Sequence, residues 1–321
     1  MRIHIENDPD DPPFIIAPPA WQQAAAAAGE PAHDVSFGPL PAPLPEAAEL
    51  LVGPPAALRR VRERLPAGLR MIFVNATGVD ALAPFGWLPA GVTLLNNRGT
   101  HGPKAGEYVA MAALMLAARL PALLAAQRDG RWQPIPSPVL AGRHAVVVGT
   151  GDLGSAGARQ LRALGVRVTG VRTRAVPHPD FDAVAAVADL DALLPQADLL
   201  VLATPLTAAT RLMLDARRIA LLRPAAGVIN IGRGALLETA ALCDALDAGR
   251  LAGAVLDVFT AEPLPQDARV WRTRNLIATP HVSCDDPTTY TGTSLAILFT
   301  NLRAWRAGVA MPNAVNPARG Y

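Results

Sequence analysis

Apolar and polar positions along this chain follow two periods, one of two residues and one of three to four. Residues 2–6 alternate polar and apolar and predict a first strand. Short apolar runs at 35–37, 50–52, 71–74 and 92–95 predict four more strands. Between them, 7–13 reads as an acidic, proline-rich loop and 21–28 as an alanine-rich helix stopped by Gly29. A second helix is predicted over 56–65, with an arginine-rich outer face. Strands alternating with helices argue an open, mostly parallel α/β sheet, and this first unit ends near 97–100.

Residues 107–120 are apolar nearly all round. That predicts a buried helix, packed between domains or in a dimer contact. A proline-rich loop at 133–138 leads to a second run of strands, at 145–148, 166–171, 199–203, 228–231, 254–259 and 276–278. Helices are predicted over 190–194 with Asp189 as cap, over 216–222, and over 237–248 before Gly249. Asp286 and Pro287 predict the N-cap and first turn of a last helix running to about Ala307, with Gly308 as its stop. No internal repeat is visible.

The first strand of the second run leads into Gly149, Gly151 and Gly154, which form G-x-G-x-x-G. Leu153, Gly157, Leu161 and Leu164 then recur at helical spacing, Gly165 stands at the helix end, and the next strand begins at once. Strand, glycine turn, helix and strand together form the context in which this pattern means dinucleotide binding. Gly149 permits the tight turn, Gly151 lets backbone approach a pyrophosphate, and Gly154 lets helix and strand pack closely. The helix N-terminus attracts the anion.

Composition changes this picture mainly by exclusion. A chain of 321 residues, 51% hydrophobic, is large enough for two domains with full cores. A net charge of +2 demands neither nucleic acid nor membrane as partner. Lys104 is the only lysine and Ala105 follows it, so no G-K-[ST] phosphate loop exists and a Schiff base could form only at Lys104. Cys243 and Cys284 make no C-x-x-C pair and suggest no disulfide framework. The first residues lack an apolar signal core, and the longest apolar run, 108–118, is too short to span a bilayer. A cytoplasmic protein without a metal site is the expectation.

A dinucleotide enzyme needs a proton donor and an electrophilic stabiliser beside the nicotinamide. Open α/β sheets bind ligands at the carboxyl ends of their strands. Three residues stand there with glycine or proline beside them: Arg233 after 228–231, Glu262 after 254–259 and His281 after 276–278. A histidine titrates near neutrality and passes a proton to a carbonyl oxygen; a carboxylate on its other nitrogen fixes the tautomer. An arginine presents a planar fork to a carboxylate. His4, His33, His144 and His178 read as surface or packing residues; His101, near the inter-domain crossing, is open between a substrate contact and a structural role, the latter being the commoner. On spacing alone the three strand-end residues fit a structural polar cluster as well as a catalytic one.

Six stretches carry a family likeness: VGTGDLG at 148–154, ATPLTAATR at 203–211, GVINIGRG at 227–234, LDVF at 256–259, EPLP at 262–265 and TPHV at 279–282. NATGVD at 75–80 and GEYV at 106–109 match more loosely. In these stretches the chain resembles the D-isomer-specific 2-hydroxyacid dehydrogenases, with the glyoxylate/hydroxypyruvate reductase branch the nearest in look. The resemblance implies an α/β fold of two domains. A Rossmann-type doubly wound parallel sheet over 100–284 would bind the dinucleotide, and a flavodoxin-like domain, 1–99 with 285–321, the substrate. It implies hydride transfer between NADP(H) or NAD(H) and a small 2-oxo or 2-hydroxy acid, in a homodimer.

By the same resemblance, Arg233 would hold the substrate carboxylate and His281 would be the proton donor in reduction, with Glu262 as its partner. Amides of Gly78 and Val79, with Asn75 nearby, would bind the carboxylate. Gly149, Thr150, Gly151, Asp152, Leu153 and Gly154 would form the pyrophosphate turn; Thr204, Pro205, Ile231 and Gly232 would line the cofactor, Asp257 would hold its carboxamide and His281 would stand beside it. Related corepressors sense the dinucleotide and keep these residues, so a binding protein stays open, as does phosphite as hydride donor. Formate dehydrogenases of this fold carry glutamine in place of Glu262, which disfavours formate. After His281 the chain departs from many relatives at VSCDD, 282–286, where they carry small glycine-rich residues. A Cys284–His281 nucleophile finds no accompanying oxyanion or third-residue pattern.

The second strand of the dinucleotide unit decides between cofactors. NAD sites place an acid at its end, about 20 residues beyond the glycines, where it accepts from the ribose 2′-hydroxyl. Here the strand runs into Arg172, Thr173 and Arg174, and no Asp or Glu occurs between Asp152 and Asp180. Guanidinium groups grip a 2′-phosphate that a carboxylate would repel, so NADP(H) is expected over NAD(H).

Overall fold

In the computed structural model, residues 1–10, 14–38 and 44–320 are described, so the end of the predicted acidic loop, 11–13, lies outside them. The chain divides into two compact units, Met1–His101 with Asp285–Tyr321, and Gly102–Cys284.

The first unit is built on five parallel strands, β1 (Arg2–Ile5), β2 (Asp34–Phe37), β3 (Leu50–Gly53), β4 (Met71–Val74) and β5 (Thr93–Leu95), in the order β2-β1-β3-β4-β5. Successive strand residues point to opposite faces. Ile3, Ile5, Leu50, Val52, Met71 and Phe73 thus pack with Trp21 of α1 (Pro18–Ala28) and with Leu295, Leu298 and Phe299 of the C-terminal helix Tyr290–Arg306. Leu51, Ile72, Val74 and Leu94 cover the other face with Leu58 of α2 (Pro55–Val61). Helix α2 ends four residues before the predicted Leu65, the residue that precedes Pro66 and is therefore disfavoured in helix.

The C-terminal helix starts later than its predicted cap. The Asp286 carboxylate accepts from the Thr288 N–H and from the Thr288 and Thr289 hydroxyls, closing a turn of its own, and Thr289 becomes the N-cap. Asp189 departs in the same way. It accepts from the Ala186 N–H at 3.3 Å and makes no side-chain cap on the helix after it.

The second unit begins with α3 (Gly102–Ala117) and α4 (Leu120–Arg128). Strand β6 (His144–Val148) leads into α5 (Asp152–Ala163), β7 (Arg167–Arg172), β8 (Ala183–Ala186) and α6 (Leu190–Leu193). Then come β9 (Leu199–Leu202), α7 (Ala216–Leu221), β10 (Gly227–Asn230), α8 (Thr239–Asp247), β11 (Gly253–Leu256) and β12 (Leu276–Ala278). All seven strands are parallel, in the order β12-β11-β10-β9-β6-β7-β8. The order reverses between β6 and β9, and such a switch point opens a crevice at the strands' carboxyl ends. Val146, Leu200, Val228 and Leu256 cover one face with α7 and α8; Val147, Val201, Ile229 and Val255 cover the other with α3 and α5.

Three further features differ from the sequence expectations. Strand β8 is absent from them, because its Ala-Val-Ala-Ala run carries no strand pattern of its own; it forms by pairing with β7. The apolar segment is two helices, broken at Arg119, which takes φ 57°. Nor is α3 buried all round. Tyr108, Val109, Ala112 and Leu116 pack inward, while Met111 and Leu114 are 38% and 47% exposed. Among the described residues, no single helix is long and apolar enough to cross a bilayer.

His144 lies within the second core. Its Nδ1 is 3.2 Å from the Gln196 carbonyl, which only accepts, so Nδ1 donates and Nε2 accepts from the Thr169 hydroxyl at 2.8 Å. Burial pushes its pKa below the ordinary histidine value. The unfolded chain then binds the proton more readily than the folded one, so this stability is full above the ordinary value and is lost as pH falls toward the folded one. Wild type is expected to lose more melting temperature between pH 7.5 and pH 5.5 than His144→Gln, and equal slopes would contradict this.

Candidate active site

The glycine turn joins β6 to α5. Gly149 takes φ 102°, and a Cβ there would meet the Ala203 carbonyl oxygen at 2.5 Å; one on Gly154 would meet the Gly149 oxygen at 1.9 Å. These glycines hold strand, turn and helix in contact. Gly151 differs, since a Cβ there would meet nothing within 4 Å. Open space thus lies over the turn, beside the leading amides of α5, which have no carbonyl one turn before them. The turn fits a pyrophosphate. Asp152 opens α5 and lies toward the start of α3, where a Cβ on Gly102 would be 2.9 Å from Asp152 Oδ1; Asp152 Oδ2 is buried without a partner among the described residues. At the end of β7, Arg172, Thr173 and Arg174 are exposed, and neither guanidinium is held in an ion pair among the described residues. The next acids are engaged, Asp180 with Arg159 and Asp182 with Arg162.

The loops after β9, β10 and β11 meet through glycine. A Cβ on Gly232 would be 2.9 Å from the Thr204 oxygen, and one on Gly234 would be 2.0 Å from the Phe259 carbonyl carbon. Between these glycines Arg233 is extended, with Nη1 donating to the Gly232 carbonyl at 2.8 Å. Asn230, fully buried, clasps the turn: its Oδ1 accepts from the Gly232 N–H at 3.1 Å and its Nδ2 donates to the Arg233 carbonyl at 3.0 Å. Ile231 is buried, Thr204 half-buried and Pro205 exposed.

Glu262 and His281 come together after β11 and β12. Glu262 Oε1 accepts from the Phe259 N–H, and Oε2 lies 2.7 Å from His281 Nδ1. The carboxylate accepts, so Nδ1 donates and Nε2 is the nitrogen left for a reacting partner. The pair is accessible, with side chains 47% and 35% exposed for His281 and Glu262. Behind them Asp257 is fully buried, and its carboxylate accepts from the Thr279 hydroxyl and the Val282 and Ser283 amides. The residue assigned to the carboxamide therefore has both oxygens engaged within the protein, a contact across some 25 positions that no spacing reveals. Cys284 Sγ lies 3.4 Å from Ser283 Oγ.

The remaining candidates belong to the first unit. Asn75 follows β4 and is buried; its Nδ2 donates to the Phe14 carbonyl, its own carbonyl accepts from Tyr290, and its Oδ1 has no partner among the described residues. Gly78 is half-buried beside it, and Val79 opens a short 3-10 turn. His101 is 7% exposed, with its ring 5.3 Å from that of Tyr290. No group of three or more metal-ligating side chains exists among the described residues.

Residues 110–283, more than half the chain, match the family model described as D-isomer specific 2-hydroxyacid dehydrogenase, NAD binding domain. The chain belongs to the D-isomer specific 2-hydroxyacid dehydrogenase family. It is 37% identical over 282 residues to an uncharacterized Streptomyces coelicolor protein, covering 86% of this chain and 97% of that one. Among solved structures it is similar to a dehydrogenase of this family from Xanthobacter autotrophicus Py2 in complex with NADPH and MES, at 29% identity and TM-score 0.83, covering 100% and 99% of the two chains. It is equally similar in fold to the NADPH-dependent glyoxylate/hydroxypyruvate reductase of Sinorhizobium meliloti in complex with NADP and sulfate, at 27% identity, TM-score 0.83 and the same coverage. As a family member the protein is an oxidoreductase, an NAD(P)-dependent 2-hydroxyacid dehydrogenase similar to the glyoxylate/hydroxypyruvate reductases.

Proposed function

We propose that this dehydrogenase reduces small 2-oxo acids of the glyoxylate and hydroxypyruvate type with NADPH. The observation that carries the reading is the 2.7 Å pairing of His281 Nδ1 with Glu262 Oε2, which leaves Nε2 outward at a strand end. Arg233 holds the substrate carboxylate and polarises the 2-oxo group. The bound reduced nicotinamide supplies the hydride. His281 Nε2 gives its proton to the carbonyl oxygen, Glu262 stabilises the imidazolium beforehand, and solvent restores the proton. The same reading makes the working form a cytoplasmic homodimer; the exposed Met111, Leu114, Leu124 and Trp132 support a second copy against this unit.

The preference for NADPH rests on Arg172 and Arg174, exposed and outside any ion pair among the described residues at the end of β7, with Thr173 between them. Two charge-assisted bonds to a 2′-phosphate contribute about 1.5 to 3 kcal/mol, a preference of about tenfold or more. The test is the kcat/KM ratio for NADPH over NADH, in wild type and in Arg172→Ala/Arg174→Ala. Wild type is expected to favour NADPH and the double variant to lose that preference. A wild-type preference for NADH would overturn this assignment.

A further inference from the structure

Tyr108, on α3, lies far from His281 in the chain, yet its hydroxyl is 2.5 Å from Thr279 Oγ1. Thr279 has one hydroxyl proton, and it is donated to Asp257 Oδ1 at 2.6 Å. The Tyr108 hydroxyl must therefore be the donor to Thr279. Its ring is buried, and burial above all raises its pKa to about 12, which keeps the donor proton in place through any ordinary assay range.

Asp257 is the hub to which this pair of hydroxyls leads. Beyond Thr279, its carboxylate accepts the Val282 N–H at 2.9 Å and the Ser283 N–H at 2.9 Å, and its main-chain carbonyl accepts the His281 N–H at 2.9 Å. His281 stands inside this ring of bonds at φ 55°, in the left-handed region that a residue with a Cβ avoids unless its surroundings impose it. The bonds on either side of His281 supply that constraint, and the resulting backbone turns the imidazole to Glu262.

We propose that Tyr108 and Thr279 form a hydroxyl relay that, through Asp257, positions His281 for proton transfer. Neither hydroxyl touches a reacting atom, so both are positioning residues; the proposal rests on the reading of His281 as proton donor. Losing the Tyr108 hydroxyl frees the Thr279 rotor, loosens Asp257, and widens the range of ring positions at His281. Misplacement of a reacting group lowers turnover more than substrate binding.

The test is a double-mutant cycle read by kcat and KM. Tyr108→Phe keeps the ring and its packing and is expected to lower kcat about threefold to tenfold, the worth of one neutral hydrogen bond, with both KM values within about twofold. Thr279→Val is expected to lower kcat further, Thr279→Ser to restore it, and Tyr108→Phe/Thr279→Val to be no slower than Thr279→Val alone. Wild-type kcat in Tyr108→Phe, with or without a lower melting temperature, would overturn the relay, as would losses that multiply in the double variant. His281→Ala measured alongside separates the two levels: its full activity would remove the proton-donor reading and the relay together. Its loss, beside an unaffected Tyr108→Phe, would remove the relay alone.

Discussion

Replacing His281 by alanine is expected to lower turnover by about two to four orders of magnitude while leaving dinucleotide binding in place. The geometry separates these effects. The glycine turn between β6 and α5, with its open space at Gly151, belongs to the other half of the sheet from the loop after β12 that carries His281. The imidazole is held at Nδ1 by Glu262 and offers Nε2. Glu262→Gln keeps a hydrogen-bonding partner but removes the charge that favours imidazolium, so its loss should be large but smaller than that of His281→Ala. Steady-state kinetics with a 2-oxo acid and cofactor titration by fluorescence measure the two halves. Turnover in His281→Ala close to wild type would remove the residue from the chemistry.

Arg233→Lys should behave as a severe change despite keeping the charge. The residue sits between Gly232 and Gly234, neither of which tolerates a Cβ, and Asn230 clasps the turn from both sides. That backbone aims a planar fork suited to two carboxylate oxygens, whereas lysine brings a single strongly hydrated ammonium. A bidentate charged pair reduced to one contact costs about 1.5 to 3 kcal/mol, which is about tenfold to a hundredfold in kcat/KM for the 2-oxo acid. The loss should fall on both KM and kcat, since the proposed role of Arg233 includes polarising the reacting carbonyl. Unchanged kinetics would mark Arg233 as a surface turn residue.

Much of the fold is legible in the sequence because buried parallel strands are continuous apolar runs bounded by glycine and proline. The runs at 71–74 and 145–148, for example, match β4 and, but for His144, β6. The glycine turn is legible because its spacing answers to steric demands, visible in the 1.9 Å approach that a Cβ on Gly154 would make. Strand-end placement is enough to single out Glu262 and His281 together, and they are 2.7 Å apart.

The features that escape the sequence depend on partners distant in the chain or on side chains bonding their own backbone. Ala183–Ala186 is a strand only because β7 offers it a paired edge. Arg119 breaks the apolar segment two residues before Pro121, a local breaker that the continuous apolar pattern masks, and Asp286 spends its oxygens on a turn before the helix that its position predicts it to cap. Asn230 and Tyr108 lie inside stretches 227–234 and 106–109, but neither stretch names a partner for them: Asn230 bonds its own turn two and three residues on, and the contact of Tyr108 to Thr279 spans 171 positions.

At the centre of the proposed function stands hydride transfer from NADPH to a small 2-oxo acid, with His281 as the proposed proton donor. The most direct measurement is oxidation of NADPH by the purified protein across a panel of 2-oxo acids, followed by loss of reduced-cofactor absorbance, with His281→Ala measured beside it. Turnover with glyoxylate and hydroxypyruvate is expected in the wild-type protein, and at least about a hundredfold less in the variant at equal cofactor occupancy. Dinucleotide binding with no turnover of any 2-oxo acid in the panel would contradict it.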